Sequence, residues 1–267
     1  LLPDQMLARQ QMIDTIRGIY ELYGFVPLGT PAIEHLDVLT GSDAGSEASS
    51  SIFHVQGPDD DALALRFDLT VPLARVISQY PDLPRPFRRY QVSPVWRTDK
   101  PGPGRFREFT QFDIDSVGVA PEIADTEIMA GMCDTLEALH VDRYSVRFSS
   151  RVFLNLLLDC AEIPREASHD VFRVLDKLEK LGAEKVRLEL TTGYKDESGD
   201  TIRGLGLAGN QVDKIEAFLA IRSEDRREVI GRVRELFSAL PDSAADIRSV
   251  ELISDHLYVL GYGNDRV

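Results

Sequence analysis

Residues 91–118 read Gln91-Val92-Ser93-Pro94-Val95-Trp96-Arg97-Thr98-Asp99-Lys100-Pro101-Gly102-Pro103-Gly104-Arg105-Phe106-Arg107-Glu108-Phe109-Thr110-Gln111-Phe112-Asp113-Ile114-Asp115-Ser116-Val117-Gly118. An arginine-bearing loop, broken by Pro101-Gly102-Pro103-Gly104, separates two strand-like segments. Alternate residues of a strand point to one face, so Gln111, Asp113 and Asp115 share a surface, while Val95, Arg97 and Asp99 alternate on the incoming segment. Two carboxylates and an amide make a poor core surface, because buried charge is costly unless paired. They suit a cationic, hydrogen-bonding ligand. Arginine matches a phosphate in a two-pronged geometry, and Arg97, Arg105 and Arg107 flank or occupy the loop. Two readings fit this spacing: a phosphate grip beside an acidic pocket, or a surface hairpin whose Arg and Asp side chains pair in solvent, where such pairs contribute little.

Around this segment the composition is that of a soluble globular protein. The 267 residues are 43% apolar, enough for one large domain or two modest ones. No run of about 18 apolar residues occurs, and Leu1-Leu2-Pro3-Asp4-Gln5 lacks the basic-then-apolar order of a secretion signal, so no membrane partner and a cytoplasmic location are expected. Leu1 is not Met, which leaves the natural start open. Cys133 and Cys160 stand in apolar surroundings without C-x-x-C spacing and read as buried free thiols. His35, His54, His140, His169 and His256 are scattered, so no protein-ligated metal is expected. The formal charge of −14 opposes indiscriminate nucleic-acid binding. One basic stretch, Arg85, Arg88, Arg89, Arg97, Lys100, Arg105 and Arg107, still leaves room for a specific RNA contact.

Periodicity places a helix over residues 4–23, stopped by Gly24, then short extended segments at Phe25–Leu28 and Thr30–Glu34. The small, polar residues of 41–51 fit a lid or a plain surface loop equally well. Strands are expected at 52–55 and 63–67, joined by a turn at Gly57–Asp61, followed by a helix start in which Asp68 and Thr70 act as N-caps and Pro72 lies in the first turn. Further helices are expected at 121–140 and 151–161, with a strand at Tyr144–Phe148. Beyond about residue 162, helices at 166–181, 209–221 and 224–240 carry Glu/Lys/Arg-rich faces, with a turn-rich linker over 191–200. Gly204-Leu205-Gly206-Leu207-Ala208-Gly209 lacks the Lys-Ser/Thr and the strand-helix setting of a nucleotide loop. No internal repeat is evident.

Leu65-Arg66-Phe67-Asp68-Leu69-Thr70-Val71-Pro72-Leu73-Ala74-Arg75, taken with Val95–Asp99 and Gly104–Asp115, closely resembles histidyl-tRNA synthetase. The first stretch has the form L-R-x-D-L-T-V-P-x-A-R and the second that of class II synthetase motif 2. The resemblance covers nearly the whole chain. It implies an α+β fold: an antiparallel sheet of six or seven strands flanked by helices, with a helical insertion domain. Residues 1–161 would form the catalytic core with motifs 1 and 2, 162–248 the insertion, and 249–267 a return into the core. Motif 1, about 10–35, would lie at a homodimer interface.

At matching positions the resemblance implies that Arg97 is catalytic and holds the ATP α-phosphate. Arg105 would lie near ATP and the tRNA acceptor end. Asp68, with Thr70 beside it, would bind the α-ammonium of L-histidine, and Gln111 and Asp115 would contact the bound amino acid. Asp113 shares their face without an assigned role. The implied activity is histidine–tRNA ligase, with ATP and Mg²⁺, L-histidine and tRNA(His) as partners. The carboxylate of histidine would attack the α-phosphorus, and the acceptor ribose would then take the acyl group. Such chemistry asks for positioning and charge stabilisation more than for a general base.

Family members also carry an R-G-L-x-Y-Y-T-G segment and motif 3 after the insertion, and then an anticodon-binding domain. The chain ends at Tyr262–Val267, before these, so the 267 residues alone are expected to be inactive or barely active. Two non-catalytic readings compete: the synthetase-like regulatory subunit of ATP phosphoribosyltransferase in histidine biosynthesis, and a synthetase-like domain that senses uncharged tRNA. Intact Arg97, Arg105, Gln111 and Asp115 count against the first.

Overall fold

Pro3 and Gly24 set the limits of the first helix, α1 (Pro3–Leu22), in the computed structural model, which describes residues 1–41, 51–57, 61–196, 198–241 and 243–267. Proline needs no amide donor in a first turn, and the Gln5 side chain accepts from the Leu2 N–H at 3.0 Å. At the other end Gly24 has φ +79°, its N–H reaches Glu21 O at 3.0 Å, and the Phe25 N–H reaches Tyr20 O at 3.1 Å. This Schellman closure needs a left-handed residue, the conformation that glycine adopts without steric cost.

The first compact unit, Leu1–Arg143, continues through β1 (Val26–Pro27), β2 (Ile33–His35), α2 (Leu36–Thr40), β3 (His54–Gln56), β4 (Ala62–Leu65), α3 (Thr70–Gln79), β5 (Phe87–Trp96), β6 (Glu108–Val117) and α4 (Pro121–Ala138). One sheet has the order β1-β5-β6, with β1 parallel and β6 antiparallel to β5. The other, β2-β4-β3, is antiparallel throughout. Most of the expected loop at 41–51 and the centre of the turn at Gly57–Asp61 lie outside the described residues.

The sheet expected to hold six or seven strands is thus divided, among the described residues, into two of three strands. Arg66, which directly follows β4, bonds across to β5. Its backbone carbonyl accepts from the Trp96 N–H at 3.1 Å. Its guanidinium donates to the carbonyls of Pro94 at 3.0 Å, Thr30 at 2.7 Å and Pro31 at 3.2 Å. A buried arginine side chain thus satisfies one β5 carbonyl, that of Pro94, and two carbonyls of the segment before β2.

The apolar side of the β5–β6 ribbon, with Tyr90, Val92, Phe112 and Ile114, packs on Ile16, Ile19, Tyr20 and Tyr23 of the α1 segment and on Ile128 of α4. Tyr20 meets Phe112 edge-on, with ring centroids 5.3 Å apart. Cys133 is buried as expected, whereas Cys160 is only half-buried, and neither is in a disulfide.

The second unit, Tyr144–Val267, contains α5 (Arg151–Cys160), a 3₁₀ turn (Arg165–Ala167), α6 (Ser168–Leu175), α7 (Leu178–Leu181), α8 (Ala183–Leu190), β7 (Gly193–Lys195), β8 (Thr201–Arg203), α9 (Gly209–Leu219), α10 (Arg226–Leu236) and α11 (Ser243–Val259). Leu156, Leu157 and Leu158 of α5 sit in this unit's core with Val174, Leu190, Ile215 and Phe237. α11 buries Ile247, Val250 and Leu257.

Three local expectations change, the first being the single helix expected at 166–181, which is split into the 3₁₀ turn, α6 and α7. Tyr144–Phe148 forms no strand: the Val146 N–H meets Arg266 O at 2.8 Å, and Arg266 lies in a turn that offers no extended edge. The linker over 191–200 belongs to an antiparallel hairpin of β7 and β8, with Gly193 opposite Arg203. Two glycines allow its base to close. A Cβ on Gly204 would lie 2.2 Å from Thr191 O and 2.3 Å from Gly193 N, both backbone atoms, and Gly193 itself has φ +81°. Gly204→Ala is therefore expected to cost about 1–3 kcal/mol. Scanning calorimetry should find a transition lowered by several degrees, and an unchanged midpoint would contradict so close a crossing.

Candidate active site

The register of β5 on β6 sets Arg89 opposite Asp115, Gln91 opposite Asp113 and Ser93 opposite Gln111. Because the intervening residues fill the apolar side, these six share the other face. Arg89 is fully buried, with Nη2 2.5 Å from Asp115 Oδ2 and donating to the Leu69 carbonyl at 2.9 Å. Leu69 follows Asp68, so this bond ties the segment entering α3 to the acidic face of β6. Asp68 Oδ1 accepts from the Val71 N–H at 3.2 Å, a first-turn donor of α3, whereas Thr70, also expected as a cap, is the first helical residue after Leu69 at the N-cap position. Arg97 leaves the end of β5 with its Nε donating to Phe67 O at 3.0 Å and its guanidinium 5.1 Å from the centroid of the Phe109 ring. Among the described residues, neither Nη of Arg97 carries a hydrogen bond.

Three carboxylates and two guanidiniums thus influence one another. Burial pushes the carboxyls of Asp68, Asp113 and Asp115 above the usual carboxylate range; the Arg89 guanidinium opposes this at all three, and Arg97 opposes it at Asp68 and Asp113. Burial also lowers the pKa of Arg89, while Asp115, Asp113 and Asp68 hold it up. Gln111 Oε1 is buried without a hydrogen-bond partner.

Of the residues singled out in the sequence, Asp68, Arg97, Asp113 and Asp115 meet electrostatically, and Gln111 shares the face of the two β6 carboxylates. Thr70 is exposed as the first residue of α3. Arg105 is not brought to the cluster: it is exposed, pairs with Asp99 at 2.7 Å, and exchanges backbone bonds with Gly102 at 2.9 and 3.1 Å. The solvated pair of the second reading is present in the loop, and the ribbon carries an acidic, partly buried face.

Arg89 is the residue that sequence reasoning missed. In the sequence it is one member of the basic stretch, yet Arg89, Gln91 and Ser93 alternate as Gln111, Asp113 and Asp115 do; register alone tells which phases meet. Among the described residues, no group of three or more His, Cys, Asp or Glu side chains is placed to hold a metal ion, and no helix is long and apolar enough to cross a membrane.

The raised carboxyls set the sign of a pH effect. The folded chain retains protons that the unfolded chain releases, so stability from this cluster falls as pH rises above the unfolded carboxylate value of about 3.9 and through the raised folded values. Asp113→Asn removes one of the charges. Its thermal midpoint is expected to exceed wild type at pH 7, with the gap closing toward pH 4; a gap independent of pH would contradict the assignment.

The histidyl-tRNA synthetase family model matches residues 1–263. The chain belongs to the histidyl-tRNA synthetase family. It is 41% identical to the histidine–tRNA ligase of Cereibacter sphaeroides over 97% of this chain and 55% of that relative, and 40% identical to the one of Paracoccus denitrificans over 97% and 54%. The crystal structure of histidyl-tRNA synthetase from Nostoc sp. PCC 7120 superposes with a TM-score of 0.83 at 30% identity, covering all of this chain and 57% of that one. The α+β, class II synthetase fold is thereby established, and the chain spans about half the length of the curated relatives it matches.

Proposed function

We propose that the face built by Asp68, Gln111, Asp113 and Asp115, with Arg97 at its edge, is part of the site at which a histidine–tRNA ligase activates L-histidine with ATP and charges tRNA(His). The observation that carries the reading is the union of an acidic, half-buried face with an arginine whose Nε and ring contacts leave its Nη groups for an anion.

Each residue has a task in this reading. Asp68 and Asp115 take the α-ammonium of histidine, with Thr70 beside them, and Gln111 offers its unpartnered Oε1 to an imidazole N–H. A site that hydrogen-bonds its ligand in this way rejects analogues lacking the group, because buried partners are then left unpaired. Arg97 grips the α-phosphate and stabilises charge as the carboxylate of histidine attacks phosphorus and pyrophosphate departs. Arg105 exchanges its exposed Asp99 pair, the kind worth about 0–1 kcal/mol, for the nucleotide or the RNA end. Mg²⁺ bound to the ATP phosphates would offset their charge; no side chain here is assigned to it.

A homodimer through residues 10–35 is part of the same proposal, supported by exposed Met12, Leu22, Val26 and Ile33. The regulatory-subunit reading has weaker support. The solved structure that carries that description, an ATP phosphoribosyltransferase regulatory subunit/histidyl-tRNA synthetase from Bacillus halodurans C, is 20% identical and speaks for the fold alone. Complementation of a histidyl-tRNA synthetase deficiency by the protein in its full natural length tests the proposal. Growth is expected; its absence with normal expression would favour a non-catalytic role.

A further inference from the structure

We propose that Arg89 is a positioning residue of this site, which fixes the Asp115 carboxylate and the Leu69 carbonyl on the acidic face of the ribbon and so sets that face's direction and net charge. The inference rests on the ligase reading and extends it to a residue that touches no ligand.

Three observations carry it. First, an arginine with no exposed surface is not explained by stability: buried ion pairs are often replaced by apolar side chains at little cost or with a gain. The Nε and Nη1 of Arg89 have no hydrogen-bond partner, so the guanidinium is not part of a fully satisfied structural network. Second, both contacts that it does make lead to the site, one to Asp115 on β6 and one to the residue after Asp68. A single group thereby joins the two chain segments that supply the acidic face.

Third, the charge balance requires it. The groups facing Arg89 are Asp113 and Asp115 from β6 and Asp68 with Leu69 O from the segment before α3, while Arg97 lies at the end of β5. Without Arg89, three carboxylates would face one remaining guanidinium in a partly buried space. Like charges in such a site cannot all ionise, and a protonated carboxyl no longer attracts a cation. Arg89 keeps the face anionic and narrows where its charge points.

The test uses histidine-dependent ATP–pyrophosphate exchange by the full natural-length protein, with Arg89→Met, Arg89→Gln and Arg89→Lys, read as separate KM values for histidine and ATP between pH 6 and 9. In each neutral variant the histidine KM is expected to rise about tenfold at pH 7, the scale of one lost charged hydrogen bond. The ATP KM should stay within about twofold, and the histidine defect should shrink as pH rises and the carboxyls ionise. Arg89→Lys, which keeps the charge but cannot span both partners, should fall in between. Adding Asp113→Asn to Arg89→Met should recover part of the lost affinity by removing a like charge, a rescue that a purely structural role would not give. An unchanged histidine KM, equal rises for histidine and ATP, or no rescue would overturn the proposal while leaving the ligase reading intact. If neither neutral variant folds, Arg89→Lys decides: a rise confined to histidine supports the proposal, and a wild-type KM refutes it. Absence of histidine-dependent exchange in wild type defeats the ligase reading instead, and this inference with it.

Discussion

Arg97→Ala, introduced into the full natural-length protein, is expected to slow histidyl-adenylate formation by about 10²-fold or more, the loss seen when one pre-aimed electrostatic contact to a developing charge is removed. The side chain is pre-aimed because Phe67 O holds its Nε at 3.0 Å and the Phe109 ring lies under its guanidinium, so little reorganisation remains when phosphate arrives. The defect should fall on the rate of the chemical step more than on histidine affinity. Arg97→Lys should recover little of it, because an ammonium reproduces neither the fork nor the ring contact. Single-turnover measurement of adenylate formation reads the effect directly. A rate within a few-fold of wild type would remove Arg97 from the phosphate and leave it a structural link between Phe67 and β5.

Arg66→Met is expected to have the largest effect on stability. It leaves the carbonyls of Thr30, Pro31 and Pro94 without the donors they have now, each loss being worth about 1–3 kcal/mol when the acceptor stays buried. It also strips a positive charge from the neighbourhood of Glu34, which is buried and paired with Arg75 at 2.9 Å. A total of about 3–5 kcal/mol is the scale found when one partner of a buried charged network is removed. Trp96 is the sole tryptophan and sits at the end of β5, with its indole N–H donating to Glu108 at 2.8 Å. Its fluorescence therefore reports on the strand that Arg66 supports. The midpoint of urea unfolding followed this way should move well below wild type; a shift under about 1 kcal/mol would mean that water readily replaces the guanidinium.

Much of the fold was legible in the sequence. Gly24 ends α1 where the pattern broke, Pro121 opens α4, and the alternation of Gln111, Asp113 and Asp115 marks the face that the register brings together. These features are local: a turn conformation, a missing donor, a period of two. What stayed hidden depended on distant partners. Arg66, an unremarkable charged residue in the sequence, is buried and bonds the carbonyls of Pro94, Thr30 and Pro31. α8 escaped notice because its buried face includes Glu189, paired with Lys177, and α11 because buried Ser243 and Ser254 dilute its apolar stripe. The hairpin at Gly193–Arg203 read as a linker because its glycines serve a backbone crossing rather than a tight turn.

The candidate site followed the same division. Gln111, Asp113 and Asp115 could be grouped by type and spacing, whereas Asp68 entered the site only through the resemblance, its position before a helix pointing to a cap. Arg89 could not, because its burial and its pairing with Asp115 appear only once β5 and β6 are in register. Arg105, which the resemblance places near the nucleotide, pairs with Asp99 in the exposed loop.

Amino-acid-dependent ATP–pyrophosphate exchange by the protein in its full natural length, run with each of the common amino acids in turn, tests the central claim most directly. The expected result is exchange with histidine and none above background with the others, since the face formed by Asp68, Gln111, Asp113 and Asp115 offers partners for an ammonium and an imidazole together. No exchange with histidine, or equal exchange with a second amino acid, would contradict it.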